Sequence, residues 1–355
     1  MVLARVSYLR FDKIEVEEKE TIGTISEKMK DLPNEEFLYN GDKELITYLG
    51  QSERFKNMVI TDYIKTADKE SEKQFGAVTI HISDEEMYIS YIGTDSTITG
   101  WKEDLNMAFM DNVPCQIEGR KYLEEISKKF PNKKIRIGGH SKGGNVAIYS
   151  AITVNEEVRN RIIKVVNLDG PGFSRDIVNK YGKEDIVDKI ETYIPQDSII
   201  GRFLNHKENI IVCFSTEKGI LQHDVYSWQI QRDEAIRVEK NTETSEDINK
   251  TVIDWLETTT TEQRKIFIDS LFELFYSTDA NTFGDIKKSL SKSMPKILKK
   301  YREIDEEDRK TMTEMMKVFA MSYFSVMKEK QALKFVNMKE EFSERYFSKM
   351  KKKEA

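Results

Sequence analysis

A serine stands between two glycines in residues 139–143, which read Gly-His-Ser-Lys-Gly. The segment follows a short strand-like run at 134–137 and precedes a helical run at 145–149. This order is typical of a nucleophile elbow, a tight turn between a strand and a helix that exposes a serine hydroxyl. Glycine is required on both sides because a Cβ there would collide with the neighbouring strand or helix. Ser141 is therefore the predicted nucleophile of an acyl-transfer reaction.

A serine hydroxyl needs a base that takes its proton, and the base needs a carboxylate that orients it. The chain has four histidines. His81 precedes the serine and His140 lies inside the elbow, whereas the order of an α/β-hydrolase is serine, acid, histidine. Of the other two, His206 precedes the last strand-like run and His223 follows it, where the fold places its catalytic histidine. We predict that His223 is the base.

Two aspartates could supply the acid. Asp197 follows a strand-like run near 187–194, and Asp169 follows the run at 162–168. Either position can direct a carboxylate towards the carboxyl edge of the sheet. We predict Asp197, because Asp169 also fits a turn-forming residue ahead of Gly-Pro-Gly that bonds backbone amides.

Backbone amides must also stabilise the oxyanion of the reaction. One comes from the residue after the nucleophile, which is Lys142. The other should come from a loop after an earlier strand, and Gly93 would let the backbone turn sharply there. The predicted oxyanion donors are therefore the amides of Thr94 and Lys142.

The elements that must position these residues follow the order of an α/β-hydrolase. Three β runs fill residues 58–92, and the later strands are single and separated by helices. We predict a mostly parallel central sheet flanked by helices in residues 1–235. After a polar stretch at 242–247 the pattern is helical, so residues 245–355 are predicted to form a C-terminal helical region.

One apolar face recurs at helical spacing in this C-terminal region. Its members are Met312, Met315, Met316, Phe319, Tyr323, Val326 and Met327. We expect the face to form the core of a helical bundle. The alternative is a cap that covers the active site or contacts an acyl chain.

Composition and charge argue against several other classes of function. The 355 residues carry a net charge of −6, which argues against nucleic-acid binding. The N-terminus has no apolar signal core and no window approaches 18 apolar residues, so we expect a cytoplasmic protein without a transmembrane segment. Neither a metal-ligand cluster nor a glycine-rich phosphate loop is present in the sequence, and no cofactor is expected.

Longer motifs resemble known families. Residues 92–95 and 100–105 resemble the oxyanion loop and the Trp and Asp-Leu pattern of class 3 lipases. Leu-Ala-x-x-Ser-Tyr at 3–8, Gly-His-Ser-Lys-Gly-Gly-Asn at 139–145 and His-Asp-x-x-Ser-Trp at 223–228 resemble a bacterial lipase-like α/β-hydrolase family of unknown function, the Mbeg-like family. The resemblance covers about residues 1–235.

This resemblance implies the same site: Ser141 as nucleophile, Asp197 as acid, His223 as base, and Thr94 with Lys142 as oxyanion donors. Class 3 lipases usually have an apolar residue where Lys142 stands. A charge there would favour anionic substrates, unless only the amide matters and the side chain reaches solvent.

The sequence therefore predicts a serine hydrolase that cleaves carboxylic esters, with lipid or acyl esters foremost, through an acyl-enzyme. The alternatives are a thioesterase, acyltransferase or amidase with the same triad, or a hydrolase-like binding module without turnover. The expected partner is a small-molecule or lipid ester, and peripheral contact with a membrane and the oligomeric state stay open.

Overall fold

Eight strands lie side by side in chain order in one central sheet. The computed structural model describes residues 1–95, 97–181 and 184–351, with the side chains of 40, 181, 184 and 331–351 left out. The strands are β1 (Glu20–Thr21), β2 (Val59–Asp68), β3 (Lys73–His81), β4 (Glu86–Tyr91), β5 (Lys134–His140), β6 (Ile162–Leu168), β7 (Ile190–Pro195) and β8 (Ile210–Cys213). β1 to β4 pair antiparallel, and β4 to β8 pair parallel. The predicted α/β-hydrolase fold class is confirmed.

Helices connect the parallel strands and extend the chain beyond them. Those of the sheet region are α1 (Ile22–Met29), α2 (Asn40–Gln51), α3 (Ile98–Asn106), α4 (Pro114–Lys129), α5 (Lys142–Thr153), α6 (Glu156–Arg161), α7 (Arg175–Tyr181) and α8 (Glu184–Val187). The C-terminal helices are α9 (Glu243–Thr258), α10 (Thr261–Tyr276), α11 (Phe283–Lys288), α12 (Leu290–Glu303) and α13 (Glu306–Lys351). A two-stranded ribbon, Ile230–Gln231 with Glu234–Ala235, follows the sheet.

The sheet separates two apolar layers because side chains alternate along each strand. Ile89 and Ile137 pack in the layer formed with α4 and α5. Ile80 and Val166 point to the other face, where they share a cluster with α1 and the N-terminal segment. Eleven residues of α5 are buried, so the helix that begins after Ser141 is fixed firmly against the sheet.

The C-terminal helices share a core with the sheet region. Ile98 of α3 lies in one apolar cluster with Phe272 of α10. Lys102 of α3 also bridges Glu72, at 2.5 Å, and Asp269 of α10, at 2.9 Å. The division predicted between residues 235 and 245 stays a prediction, and these contacts join the two segments that it separates.

Candidate active site

Ser141 occupies a strained turn between β5 and α5. Its φ of 59° and ψ of −133° lie in a region that residues with a Cβ rarely adopt. The amide of Ser141 donates to the Leu168 carbonyl at 2.8 Å, which ties the turn to the next strand. A Cβ at Gly139 would clash with the backbone of Gly143, and one at Gly143 would clash with that of Tyr91. The two glycines of the motif are thus required by close backbone approach, as the sequence predicted.

His223 lies beside Asp169. The Nδ1 atom of His223 is 2.7 Å from Oδ2 of Asp169. The other oxygen of Asp169 accepts from the Ser198 hydroxyl at 2.5 Å and from the Gly201 amide at 3.2 Å. The Asp169 side chain is 1% exposed and that of His223 is 19% exposed, so a buried carboxylate holds a histidine that reaches the surface of a cavity.

The structure does not pair the predicted acid, Asp197, with His223. Asp197 accepts instead from the Thr242 hydroxyl, from the Gly219 amide at 3.1 Å and from Gln222 Nε2 at 3.4 Å. Gly219 and Gln222 belong to the short 3-10 helix that ends at His223. Asp197 therefore fastens the loop that carries the histidine, while Asp169 bonds the histidine itself.

The loop after β4 passes close to Ser141. A Cβ at Gly93 would lie 3.1 Å from the Cβ of Ser141 and would clash with the His140 carbonyl and the Tyr8 hydroxyl. The next residue, Thr94, lines the same cavity as Ser141, and its hydroxyl donates to Asp104. Thr94 and the first residue of α5, Lys142, therefore both lie at the cavity wall around Ser141.

The side chain of Lys142 points into the protein. Its Nζ lies 2.8 Å from Oε2 of Glu103 and 3.9 Å from Asp104, and the side chain is 1% exposed. Burial alone would lower the pKa of Lys142, but the carboxylates of Glu103 and Asp104 raise it above its usual value. The lysine is thus a buried cation in an ion pair, and the alternative of a side chain that reaches solvent is wrong. The other alternative from the sequence, a preference for anionic substrates, stays a prediction.

Glu103 and Asp104 were not predicted as site residues. Glu103 is fully buried and also accepts from the amides of Gln74, at 3.0 Å, and Cys115, at 2.8 Å. Burial raises the pKa of Asp104 to about 6, although Lys142 and the Thr94 hydroxyl oppose the shift. The sequence marks Asp104 only through the Asp-Leu pair at residues 104–105, which resembles class 3 lipases.

Ser141 and His223 open into an apolar cavity of about 510 Å³. One wall comes from the sheet region, including Leu105, Ile200 and Phe203. The opposite wall comes from α9, α10 and α13 and consists of Val252, Trp255, Phe267, Ile268, Met315, Met316 and Phe319. The C-terminal helices therefore complete the cavity that Ser141 lines.

The apolar face predicted on the last helix lies partly in a packed core and partly at the cavity. Met312 and Val326 are buried, and Met312 packs with Leu274, as a bundle core requires. Met316 and Phe319 are 64% and 45% exposed and border the cavity. The expectation of core packing is right for the first pair and wrong for the second, because Met316 and Phe319 line the cavity.

Within the residues that the structure describes, no group of three or more His, Cys, Asp or Glu side chains could hold a metal ion. The described helices also include none that is long and apolar enough to cross a membrane.

The sheet order, the turn at Ser141 and its cavity define the class of the protein as an α/β-hydrolase fold. A model of the Mbeg1-like family matches residues 49–273, more than half of the chain, and the chain belongs to that family. The match continues past residue 245 into α10.

A comparison with solved structures finds similarity to a fungal lipase in complex with an inhibitor. The structure of that complex provided a model for interfacial activation in lipases. The two chains are 16% identical, the alignment covers 45% of this chain and 67% of that chain, and the TM-score is 0.35. A comparison with curated proteins finds no match.

Proposed function

We propose that the protein is a serine hydrolase that cleaves carboxylic esters with apolar acyl chains. Ser141 is the nucleophile, His223 the base and Asp169 the acid, in place of the Asp197 expected from the sequence. The observation that carries this proposal is the 2.7 Å contact between His223 and Asp169 in the cavity that Ser141 lines. A histidine oriented by a buried carboxylate, in the same cavity as a strained serine, is an arrangement that activates a hydroxyl.

The contacts of Asp169 fix the role of each nitrogen of His223. A carboxylate only accepts, so Nδ1 of His223 carries the hydrogen and Nε2 is free to take the proton of Ser141. The donors Ser198 and Gly201 complement the negative charge of Asp169, which in turn stabilises the imidazolium that forms.

The reaction proceeds in two steps, formation of an acyl-enzyme and its hydrolysis. The Ser141 oxygen bonds to the ester carbon while its proton passes to His223, and the alcohol then leaves with that proton as its C–O bond breaks. Water then bonds to the acyl carbon while one of its protons passes to His223. The bond between that carbon and the Ser141 oxygen breaks, the acid leaves, and His223 returns the proton to Ser141. The amides of Lys142 and Thr94 stabilise the oxyanion in both steps.

The lining of the cavity favours binding of the substrate through an apolar acyl chain. Most of its lining side chains are aliphatic, aromatic or methionine, and the adaptable thioethers of Met315 and Met316 can fit a flexible chain. The ammonium of Lys142 is paired with Glu103, which argues against recognition of an anionic group at the nucleophile.

A graded panel of p-nitrophenyl esters, from acetate to palmitate, tests this function. We expect the purified protein to hydrolyse the esters with a preference for chains longer than acetate, and Ser141→Ala to abolish turnover. A matched panel of thioesters and amides is the control for the reaction class. Faster turnover of thioesters or amides than of every ester would contradict the proposal.

A further inference from the structure

A buried chain of polar contacts connects the N-terminal segment to the loop of the base. Arg5 Nη2 lies 2.5 Å from Oδ1 of Asp42, and Arg5 Nη1 lies 3.4 Å from Nδ1 of His140. Nε2 of His140 lies 2.7 Å from the backbone oxygen of His223. Arg5, Asp42 and His140 are each at most 2% exposed, so these contacts are shielded from water.

The partners of His140 determine its protonation. A guanidinium has only donors, so Nδ1 of His140 must accept from Arg5. A backbone carbonyl only accepts, so Nε2 must carry the hydrogen that bonds His223. A second proton on Nδ1 would face the donors of Arg5 and add a positive charge beside it. Burial, with the nearby His223 and Arg5, lowers the pKa of His140 well below its usual value, in agreement with the geometry.

Tyr8 connects the same histidine to the oxyanion loop. Its hydroxyl is 3.2 Å from the His140 carbonyl and 3.2 Å from His140 Nδ1. The hydroxyl also packs against the backbone of Gly93, where an added Cβ would lie 2.1 Å from it. Tyr8 thus contacts both the residue before the nucleophile and the residue before Thr94.

We infer that His140 is a positioning residue, held by Arg5 as the neutral Nε2–H tautomer, that fixes the loop of His223 against the turn of Ser141. The inference rests on the proposed function for its effect on turnover, but the tautomer and its contacts do not depend on any activity. It also explains why three motifs that are far apart in the sequence, at residues 3–8, 139–145 and 223–228, occur together in this chain. They meet around the ring of His140.

Nitrogen NMR of the histidine-labelled full chain tests the tautomer directly. The chain has four histidines, so single His→Gln variants assign each ring. We expect the His140 signals to show a protonated Nε2 and an unprotonated Nδ1, unchanged between pH 8 and pH 5.5. A proton on Nδ1, or titration with an ordinary histidine pKa, would overturn the inference whether or not the protein is an enzyme.

Two variants test the positioning role. Gln at position 140 can accept through its oxygen and donate through its amide, whereas Leu can do neither. We expect His140→Leu to react about 10- to 100-fold more slowly with a fluorophosphonate probe, since displacement of the base by even 1 Å has an effect of that order. His140→Gln should recover much of the rate, and His206→Gln, whose side chain bonds Glu208 away from the cavity, should match the wild type.

The outcomes separate this inference from the proposed function. Folded His140→Leu that reacts as fast as the wild type would overturn the positioning role while supporting the function. A wild type that does not react at all would contradict the function, and the NMR result would still decide the tautomer. Should His140→Leu fail to fold, the rate of His140→Gln and the NMR signals test the inference on folded protein.

Discussion

His223 bonds Asp169, which precedes it by 54 residues and directly follows β6. β6 is the parallel neighbour of β5, and its last residue, Leu168, is paired with His140 immediately before the nucleophile. Ser141 and Asp169 therefore follow the ends of two adjacent strands. Asp197 follows β7, one strand further away, and its contacts with Gly219 and Gln222 place it behind the histidine loop.

The two aspartates should respond differently to amide substitution. Asp169→Asn keeps the size of the side chain but presents the wrong partner to His223, so we expect ester turnover to fall by about 10⁴-fold. Asp197→Asn keeps an acceptor for the loop, and a loss of less than about 10-fold is expected. Steady-state kinetics of both variants measure the difference. A larger loss in Asp197→Asn than in Asp169→Asn would show that the acid is assigned wrongly.

The wall formed by α13 should determine the preference for acyl length. Phe319 lines the cavity and is 45% exposed, so Phe319→Ala removes an apolar contact for the substrate with little effect on the core. We expect kcat/KM to fall by about 10-fold for an octanoyl ester, in line with about 1–2 kcal/mol of lost burial, and to stay unchanged for an acetyl ester.

Phe324 provides the matched control for that experiment. It lies on the same helix, is 68% exposed and does not line the cavity. Phe324→Ala should therefore leave both esters unaffected. Equal effects of Phe319→Ala on short and long esters would contradict an acyl-binding role of this wall.

The buried pair of Lys142 and Glu103 should matter for stability. Lys142→Met leaves the Glu103 carboxylate buried without its cation, which typically lowers the free energy of unfolding by about 3–5 kcal/mol. The double variant Lys142→Met/Glu103→Gln removes both charges and should recover most of that loss in urea unfolding. It should also keep its ester activity. A stable double variant with lost activity would instead assign the lysine ammonium a role in substrate binding.

His81 should contribute to the pH dependence of stability. Burial, assisted by Lys133, lowers the pKa of His81 to about 4, whereas the unfolded chain has the ordinary value near 6.5. Between these values the unfolded state binds a proton that the folded state does not. The free energy of unfolding therefore falls as the pH decreases below 6.5, by about 1 kcal/mol per pH unit from this group.

His81→Gln removes that dependence and keeps a partner for the Thr61 hydroxyl, which lies 3.0 Å from His81 Nε2. Urea unfolding at pH 7 and pH 5 should show a shallower decline for the variant than for the wild type. Identical declines would mean that His81 has the same pKa in the folded and unfolded states, which would contradict the prediction.

The local elements could be predicted from the sequence because their signals are local. The strand expected at 162–168 is β6 with the same bounds, and the turn at Ser141 follows from two glycines that backbone contacts require. The choice between Asp169 and Asp197 could not be made in this way. Both follow parallel strands, and only the positions of β6 and β7 in the sheet, with the path of the loop to His223, distinguish them.

The surroundings of Lys142 and of the cavity also depend on distant parts of the chain. The lysine is buried because Glu103 of α3 lies opposite it, a pairing that no spacing in the sequence reveals. Similarly, periodicity marks Met312 and Phe319 as one apolar face but does not show that Met312 packs in the core while Phe319 lines the cavity. Tertiary packing decides which part of an amphipathic face is core and which part lines a cavity.

Covalent labelling shows whether Ser141 is the nucleophile. The folded protein is incubated with a fluorophosphonate probe, digested and analysed by mass spectrometry, beside Ser141→Ala, heat-denatured protein and a known serine hydrolase. We expect the probe on Ser141 of the folded wild type and on neither control of this chain. An unlabelled Ser141 under conditions that label the known hydrolase would contradict this assignment.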